Sequence, residues 1–222
     1  MYNNINTAFD VMKEFMITGA EFYGKYDIPI IPACSFDYTP EDSIDFEESF
    51  SRKIKNHRRL NVNFYIDDVK FNRIWNNPDK YLYHLRCFHS VTMPDFSICT
   101  GDSGMPFALN IYNKYRNHAL AWYFHMSGIN VVPSICIADK DSYDWCFDGY
   151  PKHSVVSVCT NGRVRSKDSR IEFCNGFYEM VDRLHPTKVI IVGYIPKELH
   201  TDIPIVQYMT RNMRINQRME NV

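Results

Sequence analysis

Short runs of β-forming residues recur along the chain: IPIIPAC at 28–34, VNFYI at 62–66, VTMPDFS at 91–97, NVVPSICI at 130–137, SVVSVCT at 154–160 and KVIIVGYI at 188–195. IPIVQYM at 203–209 is a candidate seventh. Several are apolar at successive positions instead of alternating, the pattern of strands covered on both faces. Helical patterns fill the gaps at 7–23, 43–57, 69–88, 106–127 and 170–184. The 69–88 helix breaks near NNPDKY, because Pro78 cannot continue it. Residues 106–127 have Pro106 near the first turn and Gly128 just past the end. This βα rhythm predicts an α/β fold with a mainly parallel sheet of six or seven strands and crossover helices. An incomplete or contracted (β/α) barrel fits better than an open doubly wound sheet, since no G-x-G-x-x-G turn follows the first strand.

Composition narrows the picture without redirecting it. A chain of 222 residues with 45% hydrophobic and 15% aromatic residues is expected to form one domain with its own core over 1–222, with a flexible tail from about 210. The net charge of −1 gives no global attraction to nucleic acid. No signal peptide or run of about 18 apolar residues is visible, so neither secretion nor a membrane partner is expected. Seven cysteines, none in a C-x-x-C pair, suggest reduced thiols in the cytoplasm, without disulfides or structural zinc.

The candidate chemistry lies where strands end, as sites of parallel α/β folds do. FYIDDVKFNRIW (64–75) runs from a strand into a helix through Asp67 and Asp68. Asp95 and Ser97 in MPDFS, Asp139 in CIADKDS, and Thr160 with Asn161 in VCTNG occupy equivalent places. Asp67, Asp68 and Asp95 are the catalytic candidates, with Asp67 and Asp95 the pair for a divalent Mg2+ or Mn2+. The plainer alternative is that these residues cap helices and shape turns. Neighbouring residues on a strand point to opposite sides, so Asp68 is assigned the helix cap and Asp67 the mouth of the fold.

FYIDDVKFNRIWNNPDKYLYHL, VTMPDFS, MPFALNIYNKYRNHALAWYFHMSGINVVPSI and SYDWCFDGYPKHSVVSVCT, in that order, resemble the domain of unknown function 4417 family over about residues 28–195. The resemblance implies a phage or bacterial intracellular setting and carries no activity with it. His118 stands where that family usually has a basic residue after YRN, and Trp122 where it has a small one. In the N-x-Y-R pattern, Asn113 and Arg116 share a helix face. They are read as a substrate-binding pair, the alternative being a structural ion pair with a strand-end Asp.

The loop NGRVRSKDSR carries Arg163, Arg165, Lys167 and Arg170, and suits a phosphorylated ligand if it is not simply a solvated loop. KIKNHRR (53–59) reads as a solvated helix end. Arg211, Arg214 and Arg218 lie at helical spacing, as a frayed tail or a nucleic-acid arm. Cys34, Cys99 and Cys159 near strand ends read as inert thiols, and His125 and His153 are proton-transfer candidates in name only. No Walker A loop or G-x-S-x-G elbow is present. The expected function is a metal-assisted enzyme acting on a nucleotide, nucleic acid or other phosphate compound, with Ser97, Asn113, Arg116, Thr160 and Arg163 binding substrate. The alternative is a non-catalytic phage protein that binds a host or phage protein or nucleic acid.

Overall fold

Strand β4 (Leu60–Asn63) lies at the centre of the first of two parallel sheets. In the computed structural model, which describes residues 11–34, 39–101 and 104–220, it pairs in parallel with β3 (Asp42–Asp45) and with β5 (Ser90–Thr92). Strand β6 (Val131–Val132) continues the order as β3-β4-β5-β6. A second parallel sheet runs β7 (Val155–Cys159), β8 (Lys188–Val192), β9 (Ile205–Tyr208). Apart from both, β1 (Phe22–Tyr23) and β2 (Ile28–Pro29) form an antiparallel pair.

The expected single sheet is therefore divided. Pro133 follows β6 and has no N–H to give a ladder. What joins the two sheets is one parallel bridge, Ser134–Ser157, with Ser157 N–H donating to Pro133 O (2.8 Å) and Ile135 N–H to Ser157 O (2.8 Å). Tyr65, just past β4, donates its hydroxyl to Ser157 on β7 at 2.8 Å. In a flat sheet those strands would stand about 14 Å apart, beyond the joint reach of a tyrosine and a serine, so the strand array is curved. No ladder pairs β9 with β3 among the described residues.

Three of the five expected helices are present. Helix α1 (Asp68–Asn76) buries Phe71, Ile74 and Trp75, stops before Pro78, and is followed by α2 (Asp79–Leu85). Helix α3 (Phe107–Met126) ends in a Schellman motif: Gly128 (φ +78°) donates to His125 O and Ile129 to Phe124 O. The short α4 (Tyr143–Cys146) precedes β7. Helix α5 (Lys167–Leu184) starts three residues before its expected position, because Ser166 and Ser169 form a reciprocal cap. Among the described residues no helix is long and apolar enough to cross a membrane.

Two expected helices are absent. Of the 7–23 helix, residues 7–10 lie outside the described residues, and the rest holds 3-10 turns at 11–12 and Glu14–Met16 followed by β1. The 43–57 segment is β3 followed by the 3-10 turn Glu48–Phe50. There Ile44 and Phe46 follow the period of a strand, and both enter the main core. The tail from 210 is a helix, α6 (Arg211–Glu220), instead of a frayed end.

One side of the strands packs under the helices. Ile44, Val62, Val91, Val156, Val189 and Ile191 belong to a core shared by both sheets. The other side is split in character. Val132, Val155, Ile190, Val192 and Tyr208 form a small apolar cluster with Cys34. Towards β3, Ser43 donates to Asn61 (2.9 Å), Asn61 to Ser90 (3.0 Å), and Asn63 to Ser43 (2.9 Å), all of them buried.

Candidate functional site

Beyond β4 the alternation of the strand carries on for one more inward residue. Asn61, Asn63 and Tyr65 share a side, and the Tyr65 hydroxyl both donates to Ser157 and accepts from Ser134 Oγ at 2.9 Å. The chain then turns outward. Asp67 occupies the N-cap position of α1 but makes no side-chain cap; it pairs with Lys70 at 2.7 Å, and its side chain is 74% exposed. Asp68, already in the first turn, accepts from Ser97 Oγ (2.8 Å) and Ser97 N–H (3.1 Å) beyond β5. The cap assigned to Asp68 is thus not made. Its side chain is drawn to two donors on the neighbouring strand exit, while Asp67 keeps its place at the mouth as a solvated ion pair.

Asp95 lies in the extended stretch between β5 and α3, in the wall of a cavity of about 480 Å³ at the C-terminal ends of the strands. The residue is partly exposed, but its carboxyl group is closed in. Burial pushes that carboxyl up to about 7; Arg163 opposes the shift, Asp68 adds to it, and a hydrogen bond from Ser134 opposes it. Ser134 Oγ stands 3.4 Å from Asp95 and 2.9 Å from the Tyr65 hydroxyl. A serine has one hydroxyl proton. Ser134 Oγ therefore gives its proton either to the Tyr65 hydroxyl or to the Asp95 carboxyl, while Tyr65 donates to Ser157. Tyr150 donates to Ser134 O at 2.6 Å and fixes the serine's backbone.

Sequence reading had not picked out Tyr65, Ser134 or Ser157. The available signal was a lone hydroxyl inside each of two otherwise apolar strand runs, VVPSICI and VVSVC. The same cavity wall holds Asp67, Ser97, Asp139, Asn161, Arg163 and Glu172, so it brings together residues from four strand exits and from helix α5. Arg163 also donates to Ala138 O at 3.4 Å. Thr160 is buried beside this wall, and its Oγ1 has no hydrogen-bond partner.

Asn113 and Arg116 do not line this cavity. Helix α3 instead carries three buried asparagines that hold the stretch after β5. Asn117 accepts from Phe96 N–H (2.8 Å) and donates to Phe96 O (3.1 Å). Asn113 donates to Ser97 O at 2.6 Å. Asn110 accepts from Cys99 N–H (2.8 Å) and donates to Cys99 O and Met105 O, both at 3.0 Å. Arg116 lies with its guanidinium 3.6 Å from the centre of the Phe96 ring and donates to Asn72 and to Asn113. Asn113 and Arg116, two of the five residues expected to bind substrate, therefore position the segment that carries Asp95. The motif visible in the sequence was the spacing 110, 113, 117, which puts all three amides on one face.

The remaining candidates stay outside the chemistry. All seven thiols are free, and burial pushes those of Cys34, Cys136 and Cys159 up to about 12, so they stay protonated at neutral pH. His125 and His153 are exposed and line no part of the cavity. Among the described residues no group of three or more His, Cys, Asp or Glu stands together as a metal-binding set. Arg214, read as part of a basic tail, faces inward: it donates to Ser43 O (2.9 Å), Met209 O (2.8 Å) and Glu48.

A family profile described as Domain of unknown function (DUF4417) matches residues 20–209, nearly the whole described fold. The chain belongs to that family. Two curated relatives of this DUF4417 protein are each called "Gene 1 protein". The one from Mycobacterium phage L5 is 32% identical over 146 residues, covering 66% of this chain and 62% of its own. The one from Mycobacterium phage D29 is 32% identical over 132 residues, covering 60% of this chain and 48% of its own. The match thus spans about half to three-fifths of the length of these relatives. No solved structure matches the chain.

Proposed function

We propose that the cavity around Asp95 is an active site in which this carboxyl exchanges a proton with a small substrate bearing a phosphate group. The observation that carries the reading is the placement of Asp95: a closed-in carboxyl in a cavity wall, linked by hydrogen bonds to Ser134, Tyr65 and Ser157, and held up to about 7 by burial. A group that titrates near the operating pH can give and take a proton with little penalty either way. Arg163 in the same wall supplies a positive charge for an anionic part of the substrate.

Proton transfer is favoured over a metal-centred reaction by the donor set. Of the pair expected to hold Mg2+ or Mn2+, Asp67 is engaged with Lys70 and Asp95 faces Ser134, and among the described residues no group of three or more His, Cys, Asp or Glu stands together. We also read the two sheets as parts of one contracted, unclosed (β/α) barrel. The Ser134–Ser157 bridge and the reach of Tyr65 across to β7 support this, and it would explain why strand ends from both sheets share a cavity.

A 13C NMR titration of labelled aspartate, with Asp95→Asn to assign the signal, tests the reading directly. Asp95 is expected to titrate near 7. A value at or below about 5, in the ordinary carboxylate range, would remove the proton-transfer role.

A further inference from the structure

A second cavity, of about 330 Å³, lies beside the first, between the loop after β7, the turn after β8 and the first turn of α6. The two differ sharply in charge. Asp67, Asp95, Asp139 and Glu172 line the first, whereas no carboxylate lines the second and Arg165 does. Arg165 is exposed and makes no ion pair with the described residues. Asn161 stands in the wall of both cavities and joins them.

Three features converge on this acid-free space. Helix α6 presents its N-terminus there through Thr210, Asn212 and Met213. Thr210 Oγ1 accepts from Met213 N–H at 3.3 Å and Thr210 O from Arg214 N–H at 3.1 Å. The N–H group of Asn212 has no acceptor within the helix, and the helix end carries partial positive charge; Arg211 lines a neighbouring cavity with Asp45, Glu47 and Asp67. Thr160, which also stands in this wall, is 1% exposed and its hydroxyl has no partner, an arrangement that disfavours folding unless a ligand oxygen completes it. Opposite it, Gly193 has φ +123°, and a Cβ there would come 2.3 Å from Thr160 Oγ1, so only glycine leaves that hydroxyl its space.

We propose that this cavity binds the phosphate group of a small phosphate monoester, with Thr160 Oγ1, Arg165 and the Asn212 N–H at the start of α6 as its contacts. The Asn161 side then leads the rest of the molecule towards Asp95. In this respect the inference deepens the reading of the Asp95 cavity and depends on it for the reacting part of the substrate. The phosphate contacts themselves do not depend on it. A helix N-terminus with a bare glycine turn and a hydroxyl donor suits a compact, doubly charged oxyanion.

The probe is inorganic phosphate, titrated into 15N-labelled protein at constant ionic strength and followed by backbone amide shifts. The amides of Gly162, Gly193 and Asn212 should shift saturably at millimolar phosphate. Arg165→Gln, a surface change, and Thr160→Val should each weaken that binding about five- to tenfold. No saturable shift, equal shifts with chloride, or shifts that both variants leave intact would overturn the site. A duplex lacking terminal phosphates that competed at lower concentration than phosphate would overturn the monoester in favour of a polynucleotide backbone. The outcomes separate the two proposals. Saturable phosphate binding with an ordinary Asp95 titration keeps this site and removes the proton-transfer role, and the reverse pattern does the opposite.

Discussion

Asp95 and Asp67 show how one residue type takes different characters within one wall. Asp67 is solvated and paired with Lys70, and such an exposed pair contributes about 1 kcal/mol at most. Asp95 is closed in and holds its proton up to about 7. An unfolded aspartate titrates near 3.9. Because the folded value is raised, the contribution of neutral Asp95 is fully present below about pH 4 and is lost as pH rises through 7. The whole shift corresponds to about 4 kcal/mol, and contact with solvent at the cavity mouth reduces it to roughly 1–3. Asp95→Asn, which cannot ionise, should match the wild type in melting temperature at pH 4 and exceed it by several degrees at pH 8. Thermal unfolding at both pH values checks this, and equal effects at the two would mean that the carboxyl is not held neutral. A gain in stability on removing a group from a cavity wall is the trade expected of a functional position.

At the scale of elements, α3 does more than cover the sheet. Its asparagines replace a missing neighbouring strand for residues 96–99, since an amide side chain can accept from a peptide N–H and donate to a peptide C=O at once. Asn117 is 1% exposed, so deleting it leaves both backbone groups of Phe96 buried and unpaired. Asn117→Ala should cost about 2–4 kcal/mol by denaturant unfolding. Asn117→Leu should be no better, because the loss is of hydrogen bonds and not of volume. A cost under 0.5 kcal/mol would show that solvent readily replaces the ladder. The polar letters of LNIYNKYRN were visible in the sequence, but their partners were not. Those partners are backbone atoms of an irregular stretch, and backbone atoms leave no residue-type signal.

For the molecule as a whole, the question is what makes two sheets and a terminal helix behave as one body. The main core answers for the sheets, because Val62 and Val91 from the first share it with Val156 and Val189 from the second. Helix α6 has no buried residue of its own, and Arg214 helps tie it down by reaching Ser43 O and Glu48 beside β3. Arg214→Ala should therefore abolish amide-exchange protection in α6 while shifting the global melting temperature by no more than a few degrees. Protection retained in α6 would place its attachment elsewhere.

The sequence by itself determined the βα rhythm and the parallel strands from residue 60 onward, though not the antiparallel pairing of Ile28–Pro29, together with the break at Pro78, the Gly128 helix end and the gathering of acids at strand ends. These rest on local rules of period, capping and backbone restriction, which act within a few residues. It misread 43–57, where Ile44 and Phe46 with Phe50 and Ile54 satisfy a helical period and a short strand followed by a turn equally well. Only the tertiary structure decided which carboxylate is closed in, that Asn113 and Arg116 support the site from behind, and that Tyr65 crosses to Ser157. Each of these depends on which strand exits lie side by side, and on how far solvent is excluded between them. Neither burial nor a carboxyl's proton affinity is a property of one residue and its chain neighbours.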